Sequence, residues 1–202
     1  MSKYSVIVFD LGNVLISFDY KPMIRKFNEI KSGLGDKFAT QYKDNYHVHR
    51  DFEKGMLNTK QFLSIMLDWL EQKVNEQEFM NIFSDIFTLN HNVIDLLPKL
   101  KEKYNLVLLS NTNAIHQKYG WSHYDFLHHF NKLILSHEVG AVKPEEKIYR
   151  AVEEFTQKPS SEHFFIDDVK EYVDGAEKCG WEGIQFINYS LLHAELKGRH
   201  IL

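Results

Sequence analysis

Five short apolar runs punctuate the chain: Val6-Ile7-Val8-Phe9, Leu106-Val107-Leu108-Leu109, Leu133-Ile134-Leu135, Phe164-Phe165-Ile166 and Ile184-Gln185-Phe186-Ile187. The first four stop at a polar residue, Asp10, Ser110, Ser136 and Asp167. Runs this short, rich in branched and aromatic side chains, read as buried strands. Helical patterns lie between them. Val93, Leu96, Leu97 and Leu100 share one helical face. Pro144 is expected to open a helix whose inner face carries Ile148, Val152 and Phe155, since proline suits a first helical turn. Val169, Val173 and Ala176 form the inner face of another, with Gly180 as its stop. Strands alternating with helices predict a doubly wound, mostly parallel α/β sheet. Such sheets bind ligands beyond the C-terminal ends of their strands. Asp10, Ser110 and Asp167 should therefore gather there.

One segment breaks the alternation. From about Asp19 to Phe87 the pattern predicts helices and no strand. Pro22 opens one helix through Met23, Phe27 and Ile30; a second is expected from Asp36 to about Arg50. Asn58 with Gln61, and Asn75 with Glu78, have capping-box spacing ahead of apolar helical stripes. The expected organisation is a catalytic core over residues 1–17 and 88–202, with a helical cap over 18–87. An insertion after the first strand sits above the ligand-binding end of the sheet and can act as a lid.

Composition narrows the function. The chain's 28 aromatic residues (15 Phe, 10 Tyr, 3 Trp) argue against disorder. Net charge is −4 and no Lys/Arg block stands out, so nothing calls for nucleic acid. No apolar run reaches membrane-spanning length. Met1 to Asp10 reach a charge too soon for a signal peptide, and the single cysteine, Cys179, fits a reducing compartment; a cytoplasmic location is expected.

Four pieces carry chemistry. Phe9-Asp10-Leu11-Gly12-Asn13-Val14 puts a carboxylate directly after a buried strand, where it is held rigidly, although a strand-ending turn has the same look. Ser110-Asn111-Thr112-Asn113 offers a hydroxyl and successive backbone N–H groups that can cradle phosphate oxygens, or simply a capped polar loop. Lys143 stands just before the expected helix start, where the helix dipole disfavours a cation unless an anion joins it. Asp167-Asp168 pairs two carboxylates at a strand end, which repel unless a cation binds; oxygen-only ligands point to Mg²⁺.

In this order, across the whole chain, these pieces resemble the four motifs of the haloacid dehalogenase-like (HAD) superfamily, and the helical segment resembles that family's cap. The details are similar to the bacterial alpha-D-glucose-1-phosphate phosphatase branch. The resemblance implies a Rossmann-like core and a phosphatase for a small phosphorylated metabolite. It implies Asp10 as nucleophile, forming an aspartyl-phosphate, with Ser110 and the Asn111 N–H on the phosphoryl oxygens and Lys143 neutralising charge. It also implies Mg²⁺ held by Asp10, the Gly12 carbonyl and Asp168, with Asp167 alongside. Three carboxylates balance Mg²⁺ plus Lys143, leaving a near-neutral pocket. Most phosphatases of the family carry a second Asp two residues after the nucleophile, as general acid; here that position is Gly12. General acid catalysis contributes typically ~10²–10⁴-fold, so a good leaving group or a cap residue, among Asp19, His47, His49 and Glu53, has to compensate.

Other features are expected to be structural. His47 and His49 lack zinc-site spacing, and His128-His129 decorate a helix. Arg50, Glu53 and Lys54 can face substrate or solvent, and Phe62, Met66 and Trp69 read as cap core. Two rivals remain: a dehalogenase, which would not need the Asp167-Asp168 metal pair, and a non-catalytic phosphate-ligand or partner-binding module. A P-loop kinase lacks its motif here. The sequence leaves oligomeric state open.

Overall fold

The computed structural model describes residues 2–202. Its strands are β1 (Val6–Phe9), β2 (Ile16–Phe18), β3 (Phe87–Leu89), β4 (Asn105–Ser110), β5 (Lys132–Leu135), β6 (His163–Asp167) and β7 (Glu182–Gln185). Five of them make a parallel sheet in the order β5-β4-β1-β6-β7. The chain runs outward from β1 through β4 to β5, then crosses back to lay β6 and β7 on the other side. That reversal opens a crevice at the C-terminal end of β1. Side chains alternate across the sheet with period two. Ile7, Phe9, Leu106, Leu108, Phe164 and Ile166 enter one core layer, while Val6, Val8, Val107, Leu109 and Phe165 enter the other.

The first layer is closed by α6 (His91–Ile94), α7 (Leu97–Lys101) and α11 (Tyr189–Gly198), the second by α9 (Glu146–Thr156) and α10 (Lys170–Lys178); a short helix, α8 (Ser136–Val139), follows β5 directly. The sheet is therefore covered on both faces, as the alternating pattern predicts. Details differ. The last strand is Glu182–Gln185, two residues before the apolar run that announced it, and the Phe186 N–H closes the ladder on the Asp167 carbonyl at 2.8 Å. The α9 helix begins at Glu146, not Pro144: Glu145, with ψ 132°, is still extended. Phe155 lies 40% exposed, off the buried stripe of Ile148, Tyr149 and Val152.

Between β2 and β3 run α1 (Lys21–Ile30), α2 (Leu34–Asp44), α3 (Tyr46–Glu53), α4 (Thr59–Trp69) and α5 (Glu76–Ser84). They share an aromatic core in which Phe27, Phe38, Phe62, Phe79 and Phe83 are fully buried. The expected single helix over 36–50 is split at Asn45, whose backbone (φ −116°, ψ 36°) leaves the helical region. Asn58 and Gln61 form the reciprocal capping box; Asn75 caps the Glu78 N–H at 2.9 Å. The segment from Asp19 to Ile86 is free of strands, as expected, but it is flanked by two strands that the pattern did not announce. The β2–β3 pair is an antiparallel ribbon joining Ile16 to Leu89 and Phe18 to Phe87, so the insertion enters and leaves through two paired strands. At the far end of α3, Gly55 (φ +72°) lies against the core; a Cβ there would meet the His137 carbonyl oxygen at 2.5 Å. The buried Ser136 hydroxyl bridges the same junction, donating to the Glu53 carbonyl (2.6 Å) and accepting from the Thr112 N–H (2.9 Å). Among the described residues no helix is long and apolar enough to cross a membrane.

Candidate active site

Register brings the acidic tips together. Phe9 pairs with Ile166 across β1 and β6, so Asp10 and Asp167, each one residue further, lie side by side. The Asp10 N–H is fixed on the Ile166 carbonyl at 2.9 Å. One carboxylate oxygen each of Asp10, Asp167 and Asp168 lie within 4.8 Å of one another. Asp10 and Asp167 are buried and Asp168 is half-buried.

Lys143 is the other half of this cluster. Lysine is almost never fully buried unless paired, and here only 1% of it is exposed. Its Nζ donates to Asp10 Oδ1 (2.7 Å), Asp167 Oδ2 (2.6 Å) and the Leu109 carbonyl (3.2 Å), using all three donors. The position is enforced from the β4 side. Asn111 Oδ1 accepts from the Lys143 N–H at 2.8 Å, and Asn111 Nδ2 donates to the Lys143 carbonyl at 3.2 Å. The Lys143–Pro144 peptide bond is cis. Burial lowers the ammonium's proton affinity, but Asp10 and Asp167 outweigh it and hold Lys143 above the ordinary lysine range. The Asp10 carboxyl is raised, first by burial and then by Asp167 and Asp168, against the opposing pull of Lys143. Burial, with Asp167 nearby, also raises Asp168.

The carboxylates are used unequally. Asp167 spends one oxygen on Lys143 and the other on the Val169 N–H (2.8 Å). Asp168 Oδ2 accepts from Asn13 Nδ2 at 3.0 Å. Among the described residues no protein donor bonds Asp10 Oδ2, Asp168 Oδ1 or the Gly12 carbonyl, and the Ser110 hydroxyl makes only a long contact, donating to the Asn111 carbonyl at 3.4 Å. Free oxygens of two crowded carboxylates are a fitting donor set for a hard divalent cation, which would offset the surplus of negative charge. The Asn111 N–H likewise has no protein acceptor.

A model of the haloacid dehalogenase-like hydrolases matches residues 4–180. The chain belongs to that family. It is 26% identical, over 89% of its length and 90% of the relative's, to a D-ribitol-5-phosphate phosphatase of Bacteroides thetaiotaomicron. A crystal structure of a HAD family enzyme from the same organism, in complex with magnesium and inorganic phosphate, superposes with a TM-score of 0.80 at 29% identity, covering 94% of this chain and 98% of that one. The L-2-haloacid dehalogenase of Xanthobacter autotrophicus shares the fold at 17% identity and a TM-score of 0.65, covering 98% and 84%.

Two adjoining cavities meet at this HAD site. One is lined by Asp10, Lys143, Asp168 and Tyr172; the other runs past Ser110 and Thr112 to His49, His116 and Trp121. They share Gly12, Phe18, Tyr46, Glu53 and Asn111 as walls. Of the four proposed cap residues, Glu53 and His49 are buried and reach the cavity; Asp19 and His47 are exposed and line neither. Glu53 pairs with His49 Nε2 (3.1 Å) and Arg50 Nη1 (3.0 Å). Burial would raise its carboxyl, but the His49 hydrogen bond, with the charges of His49 and Arg50, holds it below the usual range. Gly12 faces Phe18: a Cβ added there would lie 3.2 Å from the ring. Phe18, Tyr46, Tyr172 and His116 were absent from the sequence-based site. A signal for one of them lies unused in the Asn113-x-x-His116 spacing of a capped turn, in which Asn113 Oδ1 accepts the His116 N–H at 3.0 Å.

Proposed function

We propose that this HAD hydrolase is a Mg²⁺-dependent phosphatase acting on a small phosphomonoester through an aspartyl-phosphate at Asp10. The observation that carries this reading is the division of labour at the Asp10 carboxylate: Oδ1 is tied to the buried Lys143, while Oδ2 has no protein donor, on a residue that lines a cavity together with Asp168. A nucleophile needs that combination of rigid placement and a free lone pair. Asp10 Oδ2 attacks phosphorus, the bond to the alcohol oxygen breaks, and its electron pair leaves with that oxygen. Water then attacks the aspartyl-phosphate, releasing phosphate and restoring the carboxylate. The Ser110 hydroxyl and Asn111 N–H serve the non-bridging oxygens, and Lys143 offsets their charge throughout. Asp10, the Gly12 carbonyl and Asp168 would hold Mg²⁺, with Asp167 positioning Lys143 behind them. The ion supplies charge neutralisation: three carboxylates and Lys143 alone leave a net −2, which repels a phosphate dianion.

The missing acid at Gly12 shapes the substrate. Glu53, held ionised by His49 and Arg50, is a poor proton donor at neutral pH. Turnover then depends on the leaving alcohol, which favours a sugar 1-phosphate such as glucose 1-phosphate; the relative named for ribitol 5-phosphate makes sugar alcohol phosphates the other class to try. The α1–α5 helices act as a lid over this site, and a cytoplasmic location suits its phosphorylated metabolites. The test is a screen of sugar and sugar-alcohol phosphates with and without Mg²⁺. Chelator-sensitive phosphate release, abolished in Asp10→Asn, is expected. Halide release that ignores chelator would instead establish a dehalogenase, and full turnover by Asp10→Asn would remove the nucleophile.

A further inference from the structure

The cavity wall beyond the phosphate cradle holds two buried polar groups that the proposed phosphoryl chemistry does not use. The first is His116, 6% exposed, in a π-helical turn (His116–Trp121) after β4. Its ring stacks on Phe83, with centroids 4.3 Å apart. Asn113 Oδ1 is taken by the His116 N–H, so Asn113 Nδ2 is the end that meets His116 Nδ1 at 3.1 Å. Nδ1 is therefore an acceptor and the ring proton sits on Nε2. That Nε2–H is buried with no partner among the described residues. Burial, with His49 nearby, pushes the ring's proton affinity far down, so it stays neutral and donates one hydrogen bond. The second is Glu53, 8% exposed, on α3, which lines the same cavity as His116. Its carboxylate carries only one ring N–H and one guanidinium N–H, leaving acceptor capacity on a residue that lines the cavity.

An orphaned buried N–H costs free energy unless a ligand pairs it. A hydroxyl answers both groups at once, accepting from one and donating to the other. We infer that His116 Nε2 and the Glu53 carboxylate form a hydroxyl-reading site between the helical insertion and the core, selecting phosphomonoesters whose alcohol part is polyhydroxylated. The aliphatic and aromatic walls around them, Ile16, Phe18 and Trp121, exclude water that would otherwise compete. A site built to hydrogen-bond a substrate hydroxyl rejects the analogue lacking it far more strongly than an apolar pocket rejects an extra group.

This inference rests on the phosphatase reading, and the assay separates the two. Steady-state kinetics with Mg²⁺ on α-D-glucose 1-phosphate, D-ribitol 5-phosphate and n-pentyl phosphate would be measured for the wild type, His116→Phe and Glu53→Gln. Each variant is compared with wild type on the same substrate, so differences in leaving group cancel. His116→Phe keeps an aromatic ring on Phe83 and removes the Nε2 donor together with the Nδ1 acceptor of Asn113, a structural loss that falls equally on every substrate. On whichever polyhydroxy probe the wild type turns over, kcat/KM should fall about 10- to 100-fold in each variant. It should stay within about threefold on n-pentyl phosphate. An equal fall on all substrates assigns these residues to the chemical step or to folding and overturns the inference while leaving the phosphatase intact. So does a wild type that hydrolyses n-pentyl phosphate as well as the polyols, a result independent of any variant's stability. A wild type inactive on every phosphomonoester removes the phosphatase reading, and this inference falls with it.

Discussion

Replacing Lys143 by methionine probes the centre of the site without enlarging it. The lysine donates to Asp10 at 2.7 Å and to Asp167 at 2.6 Å, and all three side chains are withdrawn from water. Two hydrogen bonds to charged groups contribute roughly 1.5–3 kcal/mol each. Removing one partner of a buried ionic group costs about 3–5 kcal/mol, because it strands the remaining charges, and the two figures agree. For a chain of this size that is a fall of about 6–20 °C in melting temperature. The assay is differential scanning fluorimetry of the metal-free protein, with urea unfolding to give the free energy. Mg²⁺ should return part of the loss in Lys143→Met and more than it adds to wild type, since a cation then relieves the same two carboxylates. A variant that melts with wild type would refute the argument that Lys143 is the charge holding Asp10 and Asp167 together.

Other consequences follow from neighbouring contacts. Ser136→Ala removes the hydroxyl that joins the Glu53 carbonyl to the Thr112 N–H and strands a buried donor; urea unfolding should show a loss of roughly 1–3 kcal/mol. His116, buried and pushed down to about 3 from 6.5, takes up its proton only on unfolding across that range. Its contribution is complete above pH 6.5 and lost on acidification toward 3, at up to ~1.4 kcal/mol per pH unit, so His116→Phe should flatten the stability profile between pH 6.5 and 4 relative to wild type. With no carboxylate at Gly12, kcat/KM across aryl and alkyl phosphates should rise steeply as the leaving alcohol becomes more acidic; a flat dependence would reveal a general acid elsewhere.

The sheet was legible because four of its five strands are apolar runs stopped by a polar residue, and the register that juxtaposes Asp10 with Asp167 follows once β1 and β6 pair in parallel. The last strand slipped because Glu182-Gly183 carries no apolar signal of its own; it is recruited by Phe164 and Phe165 next door. The β2–β3 ribbon escaped notice for a related reason. Three-residue strands such as Ile16-Ser17-Phe18 and Phe87-Thr88-Leu89 have too little period to read, and their paired residues lie 69 to 73 positions apart. Lys143 was singled out on a helix-dipole argument that the late start of α9 removes; what holds it is the Asn111 clamp and two carboxylates, visible only in three dimensions. The four motifs were local and therefore readable. The far wall was not: Glu53, His49 and His116 come together through docking of α3 on the core at Gly55 and Ser136, which no short pattern encodes.

The central claim is that Asp10 presents a free oxygen to phosphorus beside a divalent ion shared with Asp168. Crystals grown with Mg²⁺ and beryllofluoride, a mimic of the aspartyl-phosphate, test it directly. The account predicts beryllium bonded to an Asp10 carboxylate oxygen, with Mg²⁺ contacting Asp10 and Asp168. Beryllofluoride on any other residue, or an Mg²⁺ bound away from these two carboxylates, would contradict it.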